Sequence, residues 1–186
     1  MEIRPLRPQD LEALSEIDAT VDSTEYLHLE QSGEGLSVAW KLEKRPLRQK
    51  QIQPNPIDEQ NAFALKQIAT GADEGFALLA EHEGAPVALL LARPDYPGNT
   101  LHLLDLRVDY DHRREGLATA MIYQAINHAR EAQFRAVTAD VRANNVPANQ
   151  LLLKCAFDLS GIDTKRHSNH DVVKEAATLI WYAALD

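Results

Sequence analysis

The stretch that most restricts the fold is LDLRVDYDHRREGLATAM, residues 104–121. An apolar strand runs through a short charged turn to Gly116, which opens an amphipathic helix with no proline between them. Helical periodicity continues through GLATAMIYQAINHAREA, where Leu117, Met121, Ile122, Ala125 and Ala129 form one stripe. RAVTADVR then resumes strand periodicity, with Val137, Ala139 and Val141 alternating with Thr138, Asp140 and Arg142. Strand, helix, strand is a βαβ unit.

A strand that turns directly into a helix can hold an anion. The first turn of a helix carries four backbone N–H groups with no intrahelical partner, and the aligned peptide dipoles favour negative charge there. Glycine at 116 removes the Cβ that would keep a phosphate at a distance, and the small Ala118 acts the same way. A turn of purely structural purpose would look similar. Neither the dinucleotide pattern G-x-G-x-x-G nor the P-loop pattern G-x-x-x-x-G-K-[ST] occurs.

The remaining chain is uneven in what it reveals. EIRPL reads as a short strand, and Leu11, Leu14 and Ile17 mark a helix after Asp10 as its cap. Residues 18–56 carry Gly33, Gly35, Pro46, Pro54 and Pro56 and show little pattern beyond the alternation of Leu36, Val38 and Trp40. Within them Lys41, Lys44, Arg45, Arg48 and Lys50 stand against Glu43, as a solvated face or an anion contact. A helix is expected over Asp58 to Ala69, ending at Gly71. Three apolar runs follow, Phe76 to Ala80, Val87 to Ala92 and Leu101 to Val108, separated by the turn segments HEGAP and RPDYPGN, as an antiparallel meander. Pro147 to Cys155 reads as a helix, and FDLSGIDTKRH and ATLIWYAAL as two strands around a polar loop.

Length and composition bound the function. The 186 residues, 45% hydrophobic and 25% charged, are those of one ordinary globular domain, residues 1–186. The formal net charge of −9 argues against nucleic acid or an acidic membrane as partner and suits a small cationic molecule. The single cysteine, Cys155, forms no internal disulfide, and on an apolar helix face it is expected in the core. No Cys/His cluster offers a metal site, and His102, His112, His128 and His170 lack ligand spacing. With charges throughout the first twenty residues and no long apolar run, a cytoplasmic location is expected. Trp181 and Tyr182 in the last apolar run are expected in the core.

Two motifs together resemble the GNAT acyltransferases. The family's acyl-coenzyme A loop, [QR]-x-x-G-x-[GA], stands here as Arg113-Arg114-Glu115-Gly116-Leu117-Ala118, after the strand Leu104 to Val108. Its later N-x-x-A…GF segment resembles NNVPANQLLLKCAFDL, residues 144–159. NNVPANQLLLKCAFDLSGID followed by ATLIWY is similar to the streptothricin acetyltransferase branch; this likeness covers residues 100–186, and the earlier part agrees only in element order. The resemblance implies an α+β GNAT fold, a mixed, mainly antiparallel sheet flanked by helices, and acetyl-CoA as cofactor. It implies that the backbone of Arg113, Arg114, Gly116, Leu117, Ala118 and Thr119 binds the coenzyme A diphosphate. The main chain of Leu106, Arg107 and Val108 would contact the pantetheine arm, and Asn144 and Asn145 would lie at the lip of the cleft, a role compatible with capping the next helix. The strand after the helix would splay away to open that cleft. Arg113 and Arg114 would also attract the polyanionic cofactor.

Acetyl transfer to an amine needs positioning, a group to take the ammonium proton, and a place for the oxyanion. Asp105 is the candidate base, where the similar branch also has an acid. An ordinary carboxylate is weak against an amine of pKa near 10, so it would act through water, or attract a cationic acceptor; pairing with Arg107 is the competing reading. Two positions depart from the family: Leu152 stands where a tyrosine usually protonates the thiolate, and Ala156 replaces the glycine of GF. A thiolate of pKa near 8.5 leaves without a donor. In the similar branch a tyrosine follows the G-G-x-D segment, where this chain has His167. Three functions are thus open: an N-acetyltransferase acting on a small-molecule amine, an acyl-CoA-binding sensor or interaction module, and acetylation of a protein N-terminus or lysine. The exposed edge of the late strands is a place where a homodimer could form.

Overall fold

The computed structural model describes residues 1–185. Their contacts group into two units: residues 1–20, 54–139 and 182–185 form the first, and Val21–Gln53 with Asp140–Trp181 form the second.

The first unit holds β1 (Glu2–Pro5), α1 (Glu59–Ala69), β4 (Phe76–His82), β5 (Ala85–Asp95), β6 (Thr100–Val108), α2 (Leu117–Glu131) and the start of β7 (Ala136–Arg142). Its strands lie in the order β1-β4-β5-β6-β7. The first three pairings are antiparallel, β4 to β6 forming the expected meander, and β6 pairs with β7 in parallel. The βαβ unit supplies that parallel pair. Leu79, Leu89 and Leu91 pack with Leu6, Leu14, Ile17, Ala64 and Leu65 on one face of the sheet. Alternation turns Leu78 and Leu90 to the opposite face, and α2 packs against β4, β5 and β6 with Met121, Ile122, Ala125 and Ala129 buried. Covering on both faces is why β4 and β5 read as nearly unbroken apolar runs.

The segment after β1 is a 3-10 helix, Pro8–Glu16, rather than an α-helix. Asp10 is not its cap. It sits one turn inside, where its carboxylate accepts the Arg7 amide at 2.7 Å and two hydrogen bonds from Arg4 at 2.8 and 2.9 Å. Arg4 also donates to Glu81 on β4 at 2.8 Å, so one guanidinium ties the helix to the sheet. Arg4 holds the Asp10 carboxyl below the usual carboxylate range. Because the folded value lies below the unfolded one, this stabilisation is present above about pH 4 and is lost as pH falls through the folded value. Asp10→Asn is expected to cost about 2 kcal/mol at pH 7 and to flatten the acid limb of stability, read by urea unfolding across pH 2–7.

The second unit contains β2 (Val21–Glu34), β3 (Ser37–Gln53), the end of β7, α3 (Val146–Lys154), β8 (Asp158–Asp163) and most of β9 (Thr178–Ala184), with β9 between β7 and β8. The weakly patterned segment 18–56 is thus a long hairpin, of which sequence periodicity marked only residues 36–40. Glu34 pairs with Ser37 across Gly35-Leu36; Gly35 takes φ 60°, which makes a tight two-residue turn. Pro46 lies within β3 next to a register shift between Ser23 and Glu25, where a lost N–H is tolerated. Most of β3 is exposed, so no inward stripe betrays it.

Candidate active site

β6 changes character at Leu104. Leu91 of β5 faces Asp105 while Ala92 faces Leu103, so Leu104 is an extra residue in the strand, a β-bulge. The parallel ladder with β7 runs from Thr100↔Ala136 to Leu103↔Ala139 and ends there. Within this unit the residues beyond the bulge therefore keep β5 alone as their partner. The bulge also re-aims them: Leu104 is exposed, whereas Arg107 is only 6% exposed.

The strand ends in a tightly fastened turn. Asp109 Oδ2 accepts the Asp18 amide at 2.9 Å, and the Tyr110 amide donates to the Asp18 carbonyl at 2.8 Å. Arg113 donates from Nε to the Val108 carbonyl at 3.2 Å and from Nη2 to the Thr20 carbonyl at 2.8 Å, with its guanidinium 4.8 Å from the Tyr110 ring centroid. Its hydrogen bonds go to carbonyls, and its charge favours nearby anions, the Asp18 carboxylate among them. Arg114 follows with φ 66° and an exposed side chain.

Gly116 is the N-cap of α2, at φ 85°, and it offers no side-chain oxygen to the helix. The first intrahelical bond runs from the Ala120 amide to the Gly116 carbonyl at 3.0 Å. The amides of Leu117, Ala118 and Thr119 precede it and have no capping side chain. A Cβ built on Gly116 would point into open space, with nothing within 4 Å. Uncapped amides, a helix dipole and room at the glycine fit a phosphate group.

Asp105 and Arg107 share one face beyond the bulge. Arg107 Nε donates to Asp105 Oδ2 at 2.7 Å, and Arg107 Nη1 donates to the Asn55 carbonyl at 2.8 Å. Their side chains are 12% and 5% exposed. Burial raises the Asp105 carboxyl above its ordinary value, more than the Arg107 bond and charge pull it down; Asp58, the N-cap of α1, adds to the rise. The carboxylate is therefore a better proton acceptor than a solvated aspartate. The pairing with Arg107 is present, and it coexists with that basicity.

Asn144 and Asn145 belong to the second unit. Asn145 caps α3, its Oδ1 accepting the Ala148 amide at 3.2 Å, and Asn144 donates to Gln51 Oε1 at 3.3 Å. Sequence reasoning passed over Asn149, which is 2% exposed. Its amide donates to the Arg142 and Asn145 carbonyls at 2.9 Å each, and its Oδ1 accepts from Trp181 Nε1 at 2.8 Å. A polar residue on the buried face of α3, one turn after its cap, was the available signal. Leu152 and Cys155 are buried in this unit, and Trp181 with them.

Ala156 adopts φ 64° just after α3, with the Phe157 amide donating to the Leu152 carbonyl at 3.0 Å. A left-handed conformation costs an L-residue about 1–2 kcal/mol, which glycine avoids at about 0.5–1 kcal/mol of extra unfolded-state entropy. Ala156→Gly is expected to stabilise the protein by about 0.5–1 kcal/mol, seen as a higher denaturation midpoint with an unchanged slope.

Among the described residues no group of three or more His, Cys, Asp or Glu side chains is placed to hold a metal ion, and no helix is long and apolar enough to cross a membrane.

The pattern of the acetyltransferase (GNAT) family matches residues 37–157, which include the bulged strand, the braced loop and the glycine-opened helix; the chain belongs to that family. Its members use acetyl-CoA. The chain is 33% identical to the streptothricin acetyltransferase of Escherichia coli over 75 residues, 40% of this chain and 43% of that protein, so the match spans less than half of the relative's own length. Across 100% of this chain and 98% of the other, the fold superposes on the crystal structure of nourseothricin acetyltransferase with a TM-score of 0.77 at 19% identity. It also superposes on a Bacillus anthracis str. Ames protein in complex with acetyl coenzyme A, with a TM-score of 0.76 at 20% identity over 100% and 97% of the two chains.

Proposed function

We propose that this chain transfers the acetyl group of acetyl-CoA to a primary amine of a small, cationic acceptor by direct attack within a ternary complex. The observation that carries the reading is the N-terminus of α2: three amides without a capping side chain, opened by Gly116, follow the braced loop after a strand whose ladder with β7 has ended. The backbone of Arg113, Arg114, Gly116, Leu117, Ala118 and Thr119 holds the diphosphate, and the main chain of Leu106, Arg107 and Val108 orients the pantetheine arm. Acetyl-CoA supplies an activated thioester: the neutral amine nitrogen bonds to the acetyl carbon, the carbon–sulfur bond breaks, the sulfur leaves as thiolate, and the second proton shed by the nitrogen on amide formation passes through water to that thiolate. Asp105 receives the ammonium proton through a water molecule, and burial helps it do so at neutral pH. The net charge of −9 and the relative named for streptothricin both favour a cationic amine.

Amine-dependent release of free thiol from acetyl-CoA tests this reading, with streptothricin and aliphatic di- and polyamines as acceptors. Thiol release no faster than background hydrolysis across that panel would overturn it.

A second reading, an acyl-CoA-binding module with little transfer, draws on Leu152, a buried residue without a hydroxyl at the position where the family usually has a tyrosine. Calorimetry showing acetyl-CoA binding without turnover would favour it, and activity gained in Leu152→Tyr would locate the missing function in that side chain.

A further inference from the structure

Arg107 makes contacts that the proposed transfer does not yet use. It is buried in the first unit, and its guanidinium spans two partners of different origin, the Asp105 carboxylate at 2.7 Å and the Asn55 carbonyl at 2.8 Å. Asn55 lies in the segment leading into α1, whose N-cap is Asp58. We infer that Arg107 is a positioning residue for acetyl transfer: it fixes the carboxylate of Asp105 on β6 and fastens the segment before α1 to the same strand.

The inference rests on Asp105 as proton acceptor. The fork geometry of a guanidinium permits both bonds at once, which a single ammonium at this depth would not reproduce. The surroundings leave the task to Arg107. β5 places Leu91 and Leu89 opposite Asp105 and Arg107, and its ionisable residues, Arg93 and Asp95, pair with His102 and Thr100 on the other side of the bulge. From the segment before α1, Asp58 adds negative charge, and the Leu106 amide is the other group that favours the ionised carboxylate. Without the guanidinium, burial and Asp58 act on Asp105 unopposed by any cation. The carboxylate then holds its proton to higher pH and loses its fixed orientation.

The test follows the Asp105 carboxyl directly by carbon NMR titration, its signal assigned by its loss in Asp105→Asn. Arg107→Gln is expected to move that titration to higher pH. With acetyl-CoA and streptothricin as substrates, the acid limb of kcat/KM should move the same way, and kcat at pH 7 should fall about tenfold or more. Coenzyme A affinity by calorimetry should stay within about twofold, and added guanidinium ion should restore part of the lost rate. Combined with Asp105→Asn, the Arg107 change should cost nothing further. An unmoved titration and pH profile in Arg107→Gln would overturn the inference while leaving Asp105 in its role. A moved titration with full activity in Asp105→Asn would instead overturn the role of Asp105. If Arg107→Gln does not fold, Arg107→Lys decides: it keeps one charge but cannot hold both partners, so kcat must fall with the limb nearly in place, and unchanged kcat refutes the inference.

Discussion

Gly116→Val is expected to weaken coenzyme A binding at least about 100-fold, equivalent to about 2.7 kcal/mol. Two effects combine. At φ 85° a side chain strains the backbone, and a branched one most of all, so the turn that aims the first amides of α2 is itself displaced. A side chain at this position also takes up open space beside the turn, where the diphosphate is proposed to lie. Stability should fall by only about 1–2 kcal/mol, because no protein atom lies within 4 Å of the added carbon. Gly116→Ala should show the same loss in smaller measure, about tenfold. Calorimetric titration of both variants with coenzyme A checks the result, and affinities equal to the parent's would remove the diphosphate from this turn.

Asp105→Asn should leave coenzyme A affinity nearly intact and lower kcat by about 100- to 1,000-fold, the span of general base catalysis. The sign of the pH dependence follows from the site. The carboxylate must be ionised to accept a proton, so the rate falls as pH drops through its pKa. Burial holds that pKa above the ordinary aspartate value, so the fall should begin at higher pH than for a solvated carboxylate. In Asp105→Asn this limb should vanish, leaving the acceptor's own ammonium to govern the profile. Initial rates from pH 4 to 10 distinguish the two, and an asparagine variant that keeps both rate and limb would assign the proton to another group.

The parts of the fold visible in the sequence are those with one buried stripe or two buried faces. The α2 stripe, the apolar runs of β4 and β5, and the alternation of β7 all follow from burial. In the hairpin, β3 escaped because exposure on both faces leaves strand periodicity without a phase, and because Pro46 breaks the run in sequence while the bulge beside it absorbs the break; β2 buries only Ser23 and Leu29, too few to mark an apolar stripe. At the candidate site, the Arg113–Ala118 segment was legible because glycine, small residue and arginine follow one another locally. The bulge at Leu104 was not, since it depends on what β5 places opposite. Arg107 as a partner of Asp105 could be read from their spacing, but its second bond, to the Asn55 carbonyl, joins residues 52 positions apart and carries no side-chain signature.

The short parallel ladder between β6 and β7 has a consequence for solvent access. Backbone amides from Leu104 to Val108 that β5 does not engage have no strand partner within the first unit, so apart from that of Leu106, which bonds the Asp105 carboxylate, they should exchange hydrogen for deuterium quickly, against a slow background in the buried meander. Slowing of those few amides on addition of a thioester would map, residue by residue, where its arm comes to rest along the strand.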